Sequence, residues 1–294
     1  MGKESMQVNK ARLGPIYLDK PSGEWKADPR SNVTAGSAVE YNIAFSSSGA
    51  RFAAHIGVLA YLQENKIKIK NYSGTSGGAI VASWGANDLL ASELLDLTLK
   101  FGYPKFILKP TLQLGGILDH STFGKTIAAY CRPKKNLWIV TFNVLKMQKE
   151  IWNGENFNLS QVLTATTCIP GLFKPVILSN GLHIDGIFAS FCPDDLWDEG
   201  TTLSIQLRAN NKTKSRYPYD KFIHEIEKAT IKFLETTQKR NSRLKNIVQV
   251  QPDVSSIAQM DLFNVQADDH LELFKKGYEA TQRVFSSSQL AYTF

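Results

Sequence analysis

Gly74-Thr75-Ser76-Gly77-Gly78 fits the spacing G-x-S-x-G. In that pattern a serine sits on a tight turn, with glycines at both flanks allowing the chain to reverse sharply. A serine hydroxyl is a weak nucleophile near neutral pH. It needs a base for its proton and hydrogen-bond donors for the negative charge that develops on the attacked oxygen. Ser76 is the candidate nucleophile, with Gly74 and Gly78 as the glycines of its elbow.

Five histidines could supply the base: His55, His120, His183, His224 and His270. None stands in a Gly-rich or loop-rich setting, and each reads as structural or solvated. Asp185 is the stronger candidate. It ends the apolar run "GLHID" and is followed by Gly186, so its carboxylate projects from a strand terminus, where active-site residues of open parallel sheets gather. The same Asp-Gly pair also suits a plain turn. The residues alone leave those two readings open.

These side chains need elements to carry them. "YNIAF" (41–45) reads as a buried strand and "SSSGA" as a small-residue turn. "RFAAHIGVLAYLQEN" reads as a helix with a broad apolar face. "KIKIKNYS" alternates with period two, as a half-buried strand does. "GGAIVASWGAN" continues from the serine turn as a close-packing helix. Further on, helices are expected at 88–101, in "DHSTFGKTIAAYC" and in "LSQVLTATTCIPGLF", the last stopping before Pro170. "LWIVTFNV" (137–144) is a strand that pairs with "KEIWNG" as a hairpin, and "TTLSIQLRA" is another strand. Strand–helix alternation implies an α/β fold with a mainly parallel sheet. Residues 220–240 form an amphipathic helix, read as lying on the core with a solvated basic face rather than on a membrane.

The chain has 294 residues, 43% hydrophobic and 21% charged, enough for a sizeable core. Its net charge is +7, which favours anionic partners, either nucleic acid or an acidic membrane surface. No basic-aromatic motif supports nucleic acid. The three cysteines, Cys131, Cys168 and Cys192, are odd in number and form no C-x-x-C, which argues against a disulfide framework or a zinc site. Residues 1–38 read as a polar N-terminal arm without an apolar signal core, and 39–294 as one domain. No apolar run is long enough to span a bilayer, so membrane contact is expected to be peripheral.

Four ordered motifs, "AFSSSGARFAAHIGVLAYLQE", "GTSGGAI", "ATTCIPGLFKPV" and "HIDGIF", resemble the patatin-like phospholipases over about residues 41–195. The tail "MDLFNVQADDHLELFKKGYEATQRVF" is similar to that family's closing segment. The resemblance implies a three-layer α/β/α sandwich with a mainly parallel central sheet. It implies a Ser-Asp dyad without histidine: Ser76 as nucleophile and Asp185 as its base. It implies an oxyanion hole of backbone N–H groups at Ser47, Ser48 and Gly49, and at Arg51 an arginine that positions phosphate or the loop. The family usually has three glycines in that turn and another after the arginine; here Ser47, Ser48 and Phe52 replace all but Gly49. The dyad motif is Asp185-Gly186-Ile187 rather than D-G-G or D-G-A.

The implied function is a lipid acyl hydrolase of the phospholipase A type, with no metal or cofactor. Its expected partner is a phospholipid membrane surface, with control by an activating protein, by self-association or by delivery into a target cell, and with a cytoplasmic, peripherally membrane-associated location. Two alternatives stand beside it: a catalytically weakened patatin-fold module that binds membrane or protein, and a serine acyl-hydrolase or acyltransferase that uses a histidine.

Overall fold

The computed structural model describes residues 39–105, 109–208, 246–256 and 265–287, with isolated positions at 225, 228, 229 and 232. The expected N-terminal arm, most of the expected helix over 220–240, and His224 lie outside the described residues.

β1 (Glu40–Phe45) runs through the middle of an eight-stranded sheet. Its alternation splits the two faces: Ile43 and Phe45 enter the large helix-covered core, while Ala44 packs on the opposite side with Phe191 and Cys192. Both faces of β1 are buried from Asn42 onward, which suits its apolar Ile43–Phe45 run. The strand order is β10 (Ile247–Val250), β9 (Thr201–Ile205), β1, β2 (Lys68–Thr75), β5 (Leu137–Asn143), β8 (Gly181–Asp185), β7 (Val176–Leu178), with β6 (Gln148–Asn153) paired to β5. The segment from β10 through β9, β1 and β2 to β5 is parallel throughout.

Parallel neighbours need crossovers. Between β1 and β2 the crossover is α1 (Ala53–Glu64); between β2 and β5 come α2 (Gly77–Ala86), α3 (Ala91–Lys105), a small two-stranded sheet of β3 (Lys109–Pro110) and β4 (Leu118–Asp119), and α4 (Ser121–Ala128). The α/β fold with a mostly parallel central sheet is as expected. α5 (Leu159–Thr166) is capped by Asn158, whose side chain accepts from the Gln161 N–H.

α1 differs from the expected amphipathic helix, because Ala53–Leu62 are all buried. The cause is α6 (Ala267–Ser286), which crosses α1 at backbone distance. A Cβ on Gly57 would lie 1.9 Å from the Phe274 carbonyl oxygen, and one on Gly277 would lie 1.8 Å from that of Ala54. Two glycines thus let the helix backbones touch. β2 changes character along its length: Lys68 and Lys70 are exposed, and Tyr72–Thr75 are buried.

The expectation for the strand bearing Asp185 needs correction. β8 (Gly181–Asp185) is not part of the parallel set; it runs antiparallel to β5 and forms a hairpin with β7 (Val176–Leu178). The partner of β5 across its other edge is β6 (Gln148–Asn153), the expected hairpin. On the remaining edge, β2 pairs up to Thr75–Val140 and β8 pairs down to Asp185–Thr141. The two strands approach along one edge from opposite directions and stop at adjacent residues of β5.

Candidate active site

That head-to-head arrangement delivers Ser76 and Asp185 to one point. The Ser76 Oγ donates to Asp185 Oδ2 at 2.7 Å. Both residues are buried, at 5% and 2% exposure. Ser76 has φ 54° and ψ −128°, a left-handed φ that costs a non-glycine residue about 1–3 kcal/mol. Two bonds hold it there: its N–H donates to the Thr166 Oγ1 at 2.9 Å, and its carbonyl accepts from the Ala79 N–H at 2.9 Å. Thr166 donates in turn to the Val140 carbonyl at 2.6 Å.

The glycines around Ser76 are demanded by close approach. A Cβ on Gly74 would lie 2.5 Å from Ala79, and one on Gly78 would lie 2.4 Å from the carbonyl oxygens of Phe45 and Ser46. The start of α2 is therefore pressed against the end of β1. Gly77 faces the small-residue turn, since its Cβ would meet the Ser48 Oγ at 2.1 Å.

Asp185 is fixed on several sides. Its N–H donates to the Cys168 carbonyl at 2.9 Å, and its Oδ1 accepts from the Ile187 N–H at 2.9 Å. Gly186 lies against β5, where a Cβ would come within 2.3 Å of the Val140 carbonyl oxygen. So the Asp-Gly pair is both a turn and the seat of the carboxylate. Burial pushes the Asp185 carboxyl up to about 7, although the bonds from Ser76 and Ile187 favour its ionised form. A group with that pKa, hydrogen-bonded to a hydroxyl, can exchange a proton with it near neutrality.

The Ser47–Gly49 turn is stapled to its surroundings. Ser46 Oγ accepts from the Leu207 N–H at 3.0 Å, and the Ser46 carbonyl lies 2.9 Å from His55 Nε2. The Ser47 N–H donates to the Phe191 carbonyl at 2.7 Å. This corrects the expectation that Ser47 offers an oxyanion donor, because its N–H is already committed. The Ser48 and Gly49 N–H groups have no such partner among the described residues. Gly77, at the start of α2, also carries an N–H that helix geometry leaves unpaired. Gly77 is not among the oxyanion positions that the resemblance implies, although its place directly after Ser76 could have marked it.

Only Gly49 in this turn takes a positive φ, 53°. The serines at 47 and 48 therefore replace glycine at positions that need no left-handed backbone. Arg51 is 1% exposed, and its Nη1 reaches the Leu207 carbonyl at a long 3.5 Å.

None of the four described histidines hydrogen-bonds Ser76. His183 lies between the Thr141 hydroxyl at 2.9 Å and Asn180 Oδ1 at 2.8 Å. His120 stacks on Phe173 and meets the Thr164 carbonyl at 2.9 Å; burial lowers it to about 4. Burial lowers His55 to about 3. His270 packs edge-on against Phe52. The three cysteines are buried and free. Among the described residues no cluster of three or more His, Cys, Asp or Glu could hold a metal, and no helix is long and apolar enough to cross a membrane.

The fold is similar to the crystal structure of VipD from Legionella pneumophila, with a TM-score of 0.51 and 14% identity over 84% of this chain and 67% of that one. At that identity the likeness is one of fold. The crystal structure of type III effector protein ExoU aligns with a TM-score of 0.49 and 13% identity over 86% of this chain; the chain spans 54% of that protein's length. Residues 43–155 match the family model Patatin-like phospholipase, a stretch that holds β1, the Ser47–Gly49 turn and the Ser76 elbow. Over that stretch the chain is similar to the patatin-like phospholipases.

Proposed function

We propose that the protein is a phospholipase A type acyl hydrolase working through Ser76 and Asp185. The observation that carries this reading is the 2.7 Å hydrogen bond from the Ser76 hydroxyl to a carboxylate whose burial tunes it to about 7. Asp185 takes the proton as Ser76 Oγ bonds to the ester carbonyl carbon, and the carbonyl π pair moves onto oxygen. The N–H groups of Ser48, Gly49 and Gly77 receive that oxyanion, each such donor being worth about 2.7–4 kcal/mol. Collapse expels the alcohol, which leaves with the proton from Asp185. Water, deprotonated by Asp185, then releases the fatty acid from Ser76.

The proposed partner is an anionic lipid surface. Leu145 and Met147, each 73% exposed, stand at the β5–β6 turn with Lys146 between them; Leu112, 90% exposed, stands on the loop after Lys109. Val144, next to Leu145, packs against an apolar cluster that includes Cys168, the residue whose carbonyl holds Asp185. Apolar tips flanked by lysines near the site suit an enzyme that draws substrate from an anionic bilayer.

The test is fatty-acid release from mixed anionic and zwitterionic liposomes by wild type, Ser76→Ala and Asp185→Ala. Loss of several orders of magnitude in both variants supports the dyad, and the lysolipid product identifies the bond cleaved. Full activity in Asp185→Ala would sink the dyad and reopen the histidine alternative.

A further inference from the structure

Ser48 carries a buried hydroxyl without a hydrogen-bond partner among the described residues; the residue is 0% exposed. The neighbouring Ser46 hydroxyl, by contrast, both donates and accepts. Leaving a hydroxyl buried and unpaired costs about 1–3 kcal/mol. The place of this one is specific: it abuts Gly77, the residue after the Ser76 nucleophile, so closely that even a methyl group at 77 would collide with it.

Three further features converge there. The N–H groups of Ser48 and Gly49 lack protein acceptors among the described residues. α2 is a ten-residue helix whose N-terminal end lies at Ser76–Gly77 and carries partial positive charge. Ser48 has φ −140° and ψ −25°, outside the left-handed region, so no positive-φ strain accompanies its placement. The Ser48 and Gly49 N–H groups are donors without an acceptor among the described residues, and the Ser48 hydroxyl is one more.

We infer that the Ser48 side-chain hydroxyl is an oxyanion donor in the Ser76 reaction, adding to the backbone N–H groups of the turn and replacing the donor lost when Ser47 bonds Phe191. The inference rests on the Ser76 nucleophile proposed above. In the resting protein the hydroxyl lacks an acceptor. When Ser76 adds to an ester carbonyl, the oxygen gains full negative charge beside Gly77 and the hydroxyl rotates to donate to it. Because its partner exists only on the reaction path, the bond stabilises the transition state more than the ground state. Ser48 transfers no proton; it only donates a hydrogen bond.

The probe is a fluorophosphonate, whose phosphoryl oxygen takes the oxyanion's place when Ser76 displaces fluoride, read beside hydrolysis of a short-chain water-soluble ester. Wild type, Ser76→Ala, Ser48→Ala and Ser48→Gly are compared, with thermal melting as the third readout. Ser48→Ala and Ser48→Gly are expected to lower kcat and the labelling rate about 100-fold with little change in KM. The melting temperature of Ser48→Ala is expected to hold or rise, because an unpaired buried hydroxyl has been removed; a purely structural serine would instead lose stability. Wild-type labelling and kcat in a folded Ser48→Ala protein would overturn the inference while leaving Ser76 as nucleophile. Absence of labelling in wild type would overturn both together.

Discussion

The backbone N–H of Ser76 ends on the side chain of Thr166, 90 residues away, at 2.9 Å. Thr166 passes the link to the Val140 carbonyl on β5, so the strained Ser76 turn is tied to the strand that also aligns Asp185. Thr166→Val keeps the shape and removes both bonds. It is expected to cost about 1–3 kcal/mol in chemical denaturation. It is also expected to slow fluorophosphonate labelling of Ser76, because the elbow is no longer held. An unchanged labelling rate would show that α2 alone positions the serine.

Activity should follow the titration of Asp185. Below about 7 the carboxyl holds its proton and cannot take one from Ser76. Turnover of a soluble ester should therefore rise with pH and level off above that value. A profile flat from pH 5 to 9 would contradict this.

The same shift acts on stability. An unfolded aspartate titrates near 3.8, so between there and about 7 the folded chain keeps a proton that the unfolded chain has lost. Stability is fully present below 3.8, falls as pH rises through that window, and stays reduced above it. Asp185→Asn removes the buried ionisable group. Its melting temperature should exceed that of wild type at pH 8 and match it closely near pH 4. A variant less stable at both pH values would show that the carboxylate has better compensation than burial implies.

Gly277→Ala tests the crossing of α1 and α6. The new methyl would lie 1.8 Å from the Ala54 carbonyl oxygen, so the helices must separate. A loss of about 3 kcal/mol is expected in urea denaturation. An unaltered midpoint would mean that the helices do not meet at backbone distance.

The double variant Leu145→Glu/Met147→Glu tests the lipid-facing tips. Each apolar side chain moved out of water is worth about 1.5 kcal/mol or more. Binding to anionic vesicles in sedimentation should therefore weaken at least about tenfold, with hydrolysis of a soluble ester unchanged. Equal loss on both substrates would place the hairpin in the catalytic machinery instead.

Much of the site was legible because local chemistry dictates it. Gly74, Gly78 and Gly186 had to be glycine where backbones nearly touch, and a G-x-S-x-G elbow needs a strand before it and a helix after it; both are there. The apolar run at 41–45 and the hairpin of β5 and β6 follow from period and turn chemistry. What the sequence could not decide depends on partners distant in the chain. Nothing in "GLHID" says whether the strand runs with or against its neighbours, because strand direction is set by which edge is free. That edge is the upper part of β5, left open where β2 stops at Val140. Likewise "SSSGA" offers three serine N–H groups and three hydroxyls of equal standing. Only folding assigns them, tying the Ser47 N–H to Phe191 and the Ser46 hydroxyl to Leu207 while leaving the Ser48 hydroxyl unpaired against Gly77. Residue types determine which groups can donate or accept; tertiary contact determines which are already occupied, and so which remain for a substrate.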